Sequence, residues 1–145
     1  MLGNPDIGVA GHMKSAVLIT RRERAARRSR LVRLVNRLPE ATARSVSGRH
    51  LSLEIQGRRF GWLLDNHHGD QRLALNCRAP DGANHMLVAA SPDLFHIPKY
   101  LGHRGWVGAW LDLDEVDWPA VEAVLADAYH LTAPRSLLRR LWEAG

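Results

Sequence analysis

A chain of 145 residues is long enough for one domain with a buried core, and 46% hydrophobic and 24% charged residues are typical of a globular protein rather than a disordered or fibrous one. Its single cysteine, Cys77, excludes an intrachain disulfide. No segment approaches the roughly 18 apolar residues that cross a bilayer, and the start lacks the pattern of a secretory signal. These features predict a cytoplasmic protein without a membrane partner.

The net charge of +5 is unevenly distributed along the chain. Residues 1–59 contain 13 Lys and Arg against 4 Asp and Glu, whereas residues 60–145 contain 7 against 11. A basic half joined to a mildly acidic half favours a polyanion-binding face over a uniformly basic protein.

The first predicted element is a helix from about Thr20 to Leu38. Thr20 and Glu23 match a capping box, Leu31 and its neighbours recur at helical spacing, and Pro39 stops the helix. Residues 1–19 are predicted as a disordered leader, with Met13 as an alternative start. Residues 20–145 form the single domain, and residues 20–28 are its basic helical extension.

Arginines lie on both sides of this helix. Arg24 and Arg27 line up with the apolar stripe, whereas other arginines lie opposite, at 100° per residue. A helix cannot bury both the arginines and the leucines, so its first two turns are expected to project beyond the body. Alternatively, the packed helix begins at Ser29 and residues 21–28 form a basic arm.

The middle of the chain predicts an antiparallel meander. Leu51–Ile55 alternates with period two, 60–64 is a second strand, and 72–77 is a third after a polar turn. A short helix follows at 83–90, then an ordered loop at 95–105.

The C-terminal third predicts a strand at 106–113 and two helices. Asp117 is the expected cap of the first, with Val121, Val124, Leu125 and Ala128 on its core face. Pro134 opens the second, which carries Leu137, Leu138 and Leu141. The predicted fold class is α+β: one antiparallel sheet of about four or five strands with helices packed on one face.

Several short segments, in order and spacing, resemble the MmcQ/YjbR-like (DUF419) family over about residues 29–142. They include 38–41, 60–62, 66–70, 75–80, 95–100, 102–108, 117–118, 128–129 and 133–134.

The resemblance implies a CyaY-like fold and a cytoplasmic, bacterial protein with no established reaction. Relatives are often labelled DNA-binding on fold analogy, which does not establish function. This chain departs from many relatives by placing Arg44 and Arg49 where more acidic residues follow the Leu-Pro-Glu segment.

A basic face is the first candidate site, because the forked guanidinium suits phosphate and nucleic-acid backbone binding needs only such a cluster. The alternative is a solvated surface. No motif for reading base sequence is present, so contact with DNA or RNA would be non-specific. The residues are Arg22, Arg30, Arg33, Arg37, Arg44, Arg49, Arg58 and Arg59.

A ligand or metal site of histidines and the central loop is the second candidate, since His and Asp bind metals and transfer protons. The alternative is a structural turn, with Tyr100 and Trp106 as core anchors. Its residues are His67, His68, Asp70, His96, Lys99, Tyr100, His103, Arg104 and Trp106.

A third reading is a protein-interaction module, in which Trp62, Trp110 or Trp142 lies in an exposed apolar patch. The chain has no nucleophile elbow and no glycine-rich phosphate loop. Cys77 could be activated by Arg78 and Lys99, but a buried, inert thiol is the ordinary case. The sequence therefore predicts no enzyme, no catalytic residue and no cofactor.

Overall fold

The computed structural model describes residues 19–144, so the predicted leader lies outside the described residues apart from Ile19. Four α-helices and six β-strands are present within that range, with 3-10 turns at His67–Gly69 and Gly102–Arg104. In chain order they are α1 Arg21–Asn36, β1 Ala41–Ser45, β2 Leu51–Ile55, β3 Arg58–Asp65, β4 Leu73–Cys77, α2 Ala83–Ala90, β5 Phe95–His96, β6 Val107–Trp110, α3 Trp118–Thr132 and α4 Arg135–Ala144.

All six strands join one sheet in the order β1-β2-β3-β4-β6-β5, with every neighbouring pair antiparallel. The predicted α+β class and antiparallel sheet are confirmed, with more strands than the four or five expected. The sequence did not predict β1 or β5. Only Ala41 is buried in β1, which therefore lacks an alternating apolar pattern, and β5 has just two residues.

Helices α1 and α3 supply one side of the hydrophobic core. Leu31, Leu34 and Val35 of α1 are buried together with the predicted stripe of α3, namely Val121, Val124, Leu125 and Ala128. Each of the leucine and valine side chains contributes about 1.5–3 kcal/mol when it is fully removed from water. The apolar residues of the strands complete this core, so the sheet has an inner face against these helices.

Both predicted helix caps are present. The hydroxyl of Thr20 accepts a hydrogen bond from the Glu23 backbone N–H at 3.0 Å, and the Asp117 carboxylate accepts one from Ala120 at 3.1 Å. Each satisfies an N–H that the helix itself leaves unpaired. Between residues 19 and 144, no helix is both long and apolar enough to cross a membrane.

The prediction that the first two turns of α1 project beyond the body is wrong, and so is the alternative of a separate basic arm. Arg24 does lie on the side of the apolar stripe, but it donates hydrogen bonds to the Asp65 carboxylate and the Gln71 carbonyl. Arg27 donates to the carbonyls of Leu111 and Leu113. Guanidinium groups can be half-buried where their N–H groups find such acceptors.

Candidate functional site

The outer face of the sheet, opposite α1 and α3, carries a row of cross-strand neighbours. Successive strand residues point to opposite faces, and each member of this row has at least one sequence neighbour in the hydrophobic core. The members are register partners from one strand to the next. We call this set the cross-strand row: Ser52, Trp62, Asn76, Gly108 and His96.

Aromatic rings on the outer face are covered by cationic or heteroaromatic side chains. The Arg59 guanidinium lies 3.9 Å from the centre of the Trp62 ring. Trp110 has the Arg72 guanidinium at 3.5 Å and the His96 imidazole at 3.8 Å, the latter nearly parallel at 20°. Cation–π contacts of this kind contribute about 0.5–2 kcal/mol each and fix the rings in place.

Arg72 and Arg59 differ in how firmly they are held. Arg72 forms a two-pronged ion pair with the buried Asp112, whose carboxylate also accepts the Leu73 N–H. Arg59 donates to the Ser52 hydroxyl at 2.8 Å and has no ion pair among residues 19–144. Arg59 is therefore held less firmly than Arg72, although the Ser52 hydroxyl links it to the Glu54 carboxylate and its charge helps to lower the pKa of Glu54.

Two buried polar atoms of the cross-strand row have no hydrogen-bond partner among residues 19–144. They are Oδ1 of Asn76, a residue only 5% exposed, and Nδ1 of His96. Burial, with a smaller effect from the Arg72 charge, lowers the pKa of His96 to about 4, so its ring is neutral at pH 7. Unpaired buried groups cost about 1–3 kcal/mol each, so two neighbours of this kind mark the site.

Glycine at position 108 is required by the His96 ring. A Cβ placed on Gly108 would collide with three atoms of the imidazole, so the ring occupies the space of the missing side chain. The imidazole thus lies in a slot with Gly108 as its floor and Trp110 as one wall.

The arginines of the predicted basic face do not form one surface. Arg22, Arg33 and Arg37 are exposed on or just beyond α1, and Arg30 is exposed with its guanidinium 4.5 Å from the centre of the Trp118 ring. We call these four residues the arginine strip.

The other four predicted arginines lie elsewhere. Arg44 is ion-paired with Glu54 at 2.6 Å, and Arg59 lies over Trp62 on the outer face. Arg49 lies in the β1–β2 connection and Arg58 at the start of β3, both exposed. Hydrogen bonds from Arg44 and Ser52 lower the pKa of the Glu54 carboxyl, so Arg44 is committed to a local pair.

The predicted histidine site is divided in two. His67 lies 3.9 Å from His68, measured between ring centres, and its Nδ1 is 3.4 Å from Nε2 of His50. Burial, and then the charges of both neighbours, lower the pKa of His67. His96 is on β5, away from this group. Among residues 19–144, no three His, Cys, Asp or Glu side chains are placed to hold a metal ion.

The remaining loop residues are mostly on the surface. Lys99, His103 and Arg104 are exposed, and Asp70 accepts a hydrogen bond from the Arg72 backbone N–H. Tyr100 is 84% exposed, so the alternative that made it a core anchor is wrong.

Trp106 is half-buried, and the buried Asn84 side chain holds its carbonyl at 3.1 Å. Trp142 is 86% exposed on α4, whereas Trp62 and Trp110 are half-buried. Cys77 is buried, and burial raises its pKa to about 12.

Sequence reasoning did not single out Asn76 or Gly108. Trp62 and Trp110 are surface candidates in the sequence, but no local pattern links either of them to Asn76 or His96. The available signal was a polar residue within the apolar strand Leu73–Cys77, which is unusual enough to ask what lies opposite.

Comparison with known proteins identifies the fold and family. The YjbR family model matches residues 36–131. The crystal structure of the Deinococcus radiodurans protein DR2400, with the domain DUF419, is similar with a TM-score of 0.58 at 18% identity, covering 71% of this chain and 75% of that one. No curated protein matches significantly.

Proposed function

Because this chain belongs to the YjbR family, whose match specifies a fold but no reaction, we propose a function from the surface itself: the protein binds DNA or RNA without sequence preference. The arginine strip contacts the phosphates, and the protein acts as a binding protein rather than an enzyme. Guanidinium groups give such binding its affinity, and base sequence has no part in it.

This proposal rests on the observation that the arginines of α1 fall into two groups, one facing the body and one facing the solvent. Arg24, Arg27 and Arg28 face the body, where carboxylates and backbone carbonyls take up their N–H groups. Arg22 and Arg33 are exposed and have no ion pair within residues 19–144. The helix therefore carries its structural arginines on the side that faces the body and exposed arginines on the opposite side, where their charge is available to an anion.

The spacing of the strip suits a nucleic-acid backbone. At 100° per residue, its four members fall within about 80° of one another around the helix. From Arg22 to Arg37 the strip spans on the order of 22 Å at 1.5 Å per residue. This length corresponds to about six phosphate steps along one strand of a duplex. The Trp118 ring orients Arg30 outward without neutralising its charge.

Fluorescence anisotropy with random duplex DNA, single-stranded DNA and RNA, each across a salt series, tests the proposal. The triple variant Arg30→Ala, Arg33→Ala, Arg37→Ala should bind all sequences more weakly and flatten the salt slope by about 2–3, since each phosphate contact contributes about 0.9. Its matched control is Arg58→Ala, Lys99→Ala, Arg104→Ala, which removes the same charge from exposed positions elsewhere.

If the triple variant of the arginine strip binds nucleic acid as tightly as the wild type does, the strip is removed from the proposal. Equal losses of nucleic-acid affinity in the two triple variants would mean that net charge alone drives the binding. The absence of any binding at low salt would overturn the nucleic-acid function itself.

A further inference from the structure

We propose that the outer face of the sheet contains a second binding site, the slot above Gly108, which accepts a planar nitrogen heterocycle of the nucleobase class in place of the His96 imidazole. This site is separate from the arginine strip and does not depend on it. Its elements are Gly108 as floor, Trp110 as a stacking wall and Asn76 as the polar group beside it.

The shape of the slot is already defined by a flat ring. His96 lies in the space that a side chain at position 108 would fill, nearly parallel to Trp110 with 3.8 Å between ring centres. The imidazole is thus a built-in model of the ligand, since it shows that a nitrogen-containing aromatic ring fits between the sheet and the indole. Such stacking on an aromatic side chain contributes about 1–3 kcal/mol for a nucleobase.

Asn76 gives the slot a polar edge. It is the direct register partner of Gly108, it is 5% exposed, and its Oδ1 has no hydrogen-bond partner. A side-chain amide offers one acceptor and an N–H donor side by side, which is the pattern that asparagine uses to pair with a base edge. A base that displaces the His96 imidazole would therefore supply the hydrogen-bond partner that the Asn76 side chain lacks.

His96 is poorly secured in its position. Its Nδ1 is buried without a partner, so moving the ring into water breaks no hydrogen bond there and allows that nitrogen to be hydrated. The residue belongs to a two-residue edge strand paired only with β6. The stacking on Trp110 and the packing above Gly108, which the imidazole loses on leaving, are regained by the incoming ring.

The charges of the outer face add a preference for a phosphate on the ligand. Arg72 is held by Asp112 and keeps its guanidinium on Trp110. Arg59 forms no ion pair with any residue between 19 and 144 and lies over Trp62, the register partner of Asn76. A nucleotide has both the ring and the anion, either as a free molecule or as an unpaired residue of a single strand.

Opening the slot by mutation provides the sharpest test. Replacing His96 by Ala should create a cavity that binds free imidazole, as engineered apolar cavities bind small rings. If the imidazole fills the slot in the wild type at least nine-tenths of the time, the same variant should bind adenosine monophosphate at least about tenfold more tightly than the wild type. Binding is followed by NMR shifts of the Trp110 indole and the Asn76 side-chain amide.

Two further variants separate binding from folding. Asn76→Leu in the His96→Ala background keeps the cavity but loses the polar edge, so it should retain imidazole weakly and lose the nucleotide. Gly108→Ala adds a methyl group to the floor of the slot and should abolish the binding of both imidazole and the nucleotide. Circular dichroism checks that the sheet of this variant is intact. A folded His96→Ala protein that binds neither imidazole nor any of the four nucleoside monophosphates at millimolar concentration would overturn the proposal.

Single-stranded oligonucleotides identify the source of the base. Tighter binding of an oligonucleotide than of the monophosphate, lost in the Asn76 variant, assigns the site to an unpaired residue of a strand; equal affinity assigns it to the free nucleotide. The triple arginine variant should leave monophosphate binding unchanged. If the slot binds no nucleotide while duplex DNA still binds, this site alone is overturned. If the slot binds nucleotide while duplex DNA does not bind, only the arginine strip is overturned.

Discussion

The guanidinium of Arg24 lies 2.8 Å from the carboxylate of Asp65, and this ion pair fastens the start of α1 to the end of β3. The Asp65 side chain is only 3% exposed, and Arg28 is a second cation at 3.6 Å. A carboxylate this deeply buried depends on its partners, since an unpaired buried charge is costly. The pair therefore explains why the helix is held against the body from its first turns.

Replacing Arg24 by Ala should destabilise the protein by about 2–3 kcal/mol, below the 3–5 kcal/mol typical of a broken buried pair because Arg28 remains. Urea unfolding followed by tryptophan fluorescence measures the free energy. Arg22→Ala is the control, since Arg22 is exposed and has no ion pair within the described part of the chain, so the change should alter stability by no more than about 0.5 kcal/mol. Equal values for the two variants would contradict the role assigned to Asp65.

The stripe of α3 and both helix caps were predictable because they depend on local spacing. Val121, Val124 and Leu125 recur on one side of a helix, and Thr20 and Asp117 precede their helices by one residue. The class of the sheet followed from short connections between alternating strands. These features are determined by residues that lie close together in the sequence.

The position of α1 and the outer-face site could not be read in this way. Arg24 lies on the apolar side of its helix because Asp65 and Gln71, more than 40 positions away, supply acceptors. The slot above Gly108 needs three strands in register, because Asn76 of β4 and His96 of β5 are both paired with Gly108 of β6. The local periodicity of the sequence carries no information about the acceptors of Arg24 or about the cross-strand neighbours of Gly108.

The His96 imidazole should titrate far below an ordinary histidine, at a pKa of about 4, because burial and the Arg72 charge disfavour its protonated form, against the smaller opposing effect of Asp112. Between pH 6.5 and 4 the unfolded chain binds a proton that the folded chain does not. This histidine therefore contributes stability that is fully present above pH 6.5 and declines as the pH falls toward 4.

NMR titration of the histidine ring resonances measures this pKa directly. The variant His96→Gln should show a shallower loss of stability between pH 6.5 and 4, by at most about 1.4 kcal/mol per pH unit. A His96 pKa near 6.5 would show that the ring is solvated and that the slot is not filled as described.

Cys77 should be inert in the folded protein. The thiol is buried, with its sulfur 3.8 Å from the Val124 carbonyl, and burial raises its pKa to about 12, so almost no thiolate exists at pH 8. Ellman's reagent should release no colour from native protein and one equivalent after denaturation. Rapid labelling of the native state would show that the sheet opens at β4, or that Arg78 and Lys99 do activate the sulfur.

Tyr129 connects α3 to the segment between α1 and β1, because its hydroxyl donates a 2.7 Å hydrogen bond to the Pro39 carbonyl while its ring packs edge-on against Phe60. Tyr129→Phe keeps the ring contact and removes only the hydroxyl, so it should cost about 0.5–1.5 kcal/mol. Tyr129→Ala also loses the buried ring and should cost about 3–5 kcal/mol, as large aromatic truncations do. Paired urea titrations give both values, and their difference separates ring packing from the hydrogen bond. A phenylalanine variant as stable as the wild type would show that the Pro39 carbonyl is satisfied by water, leaving the Phe60 contact as the main link between α3 and the sheet.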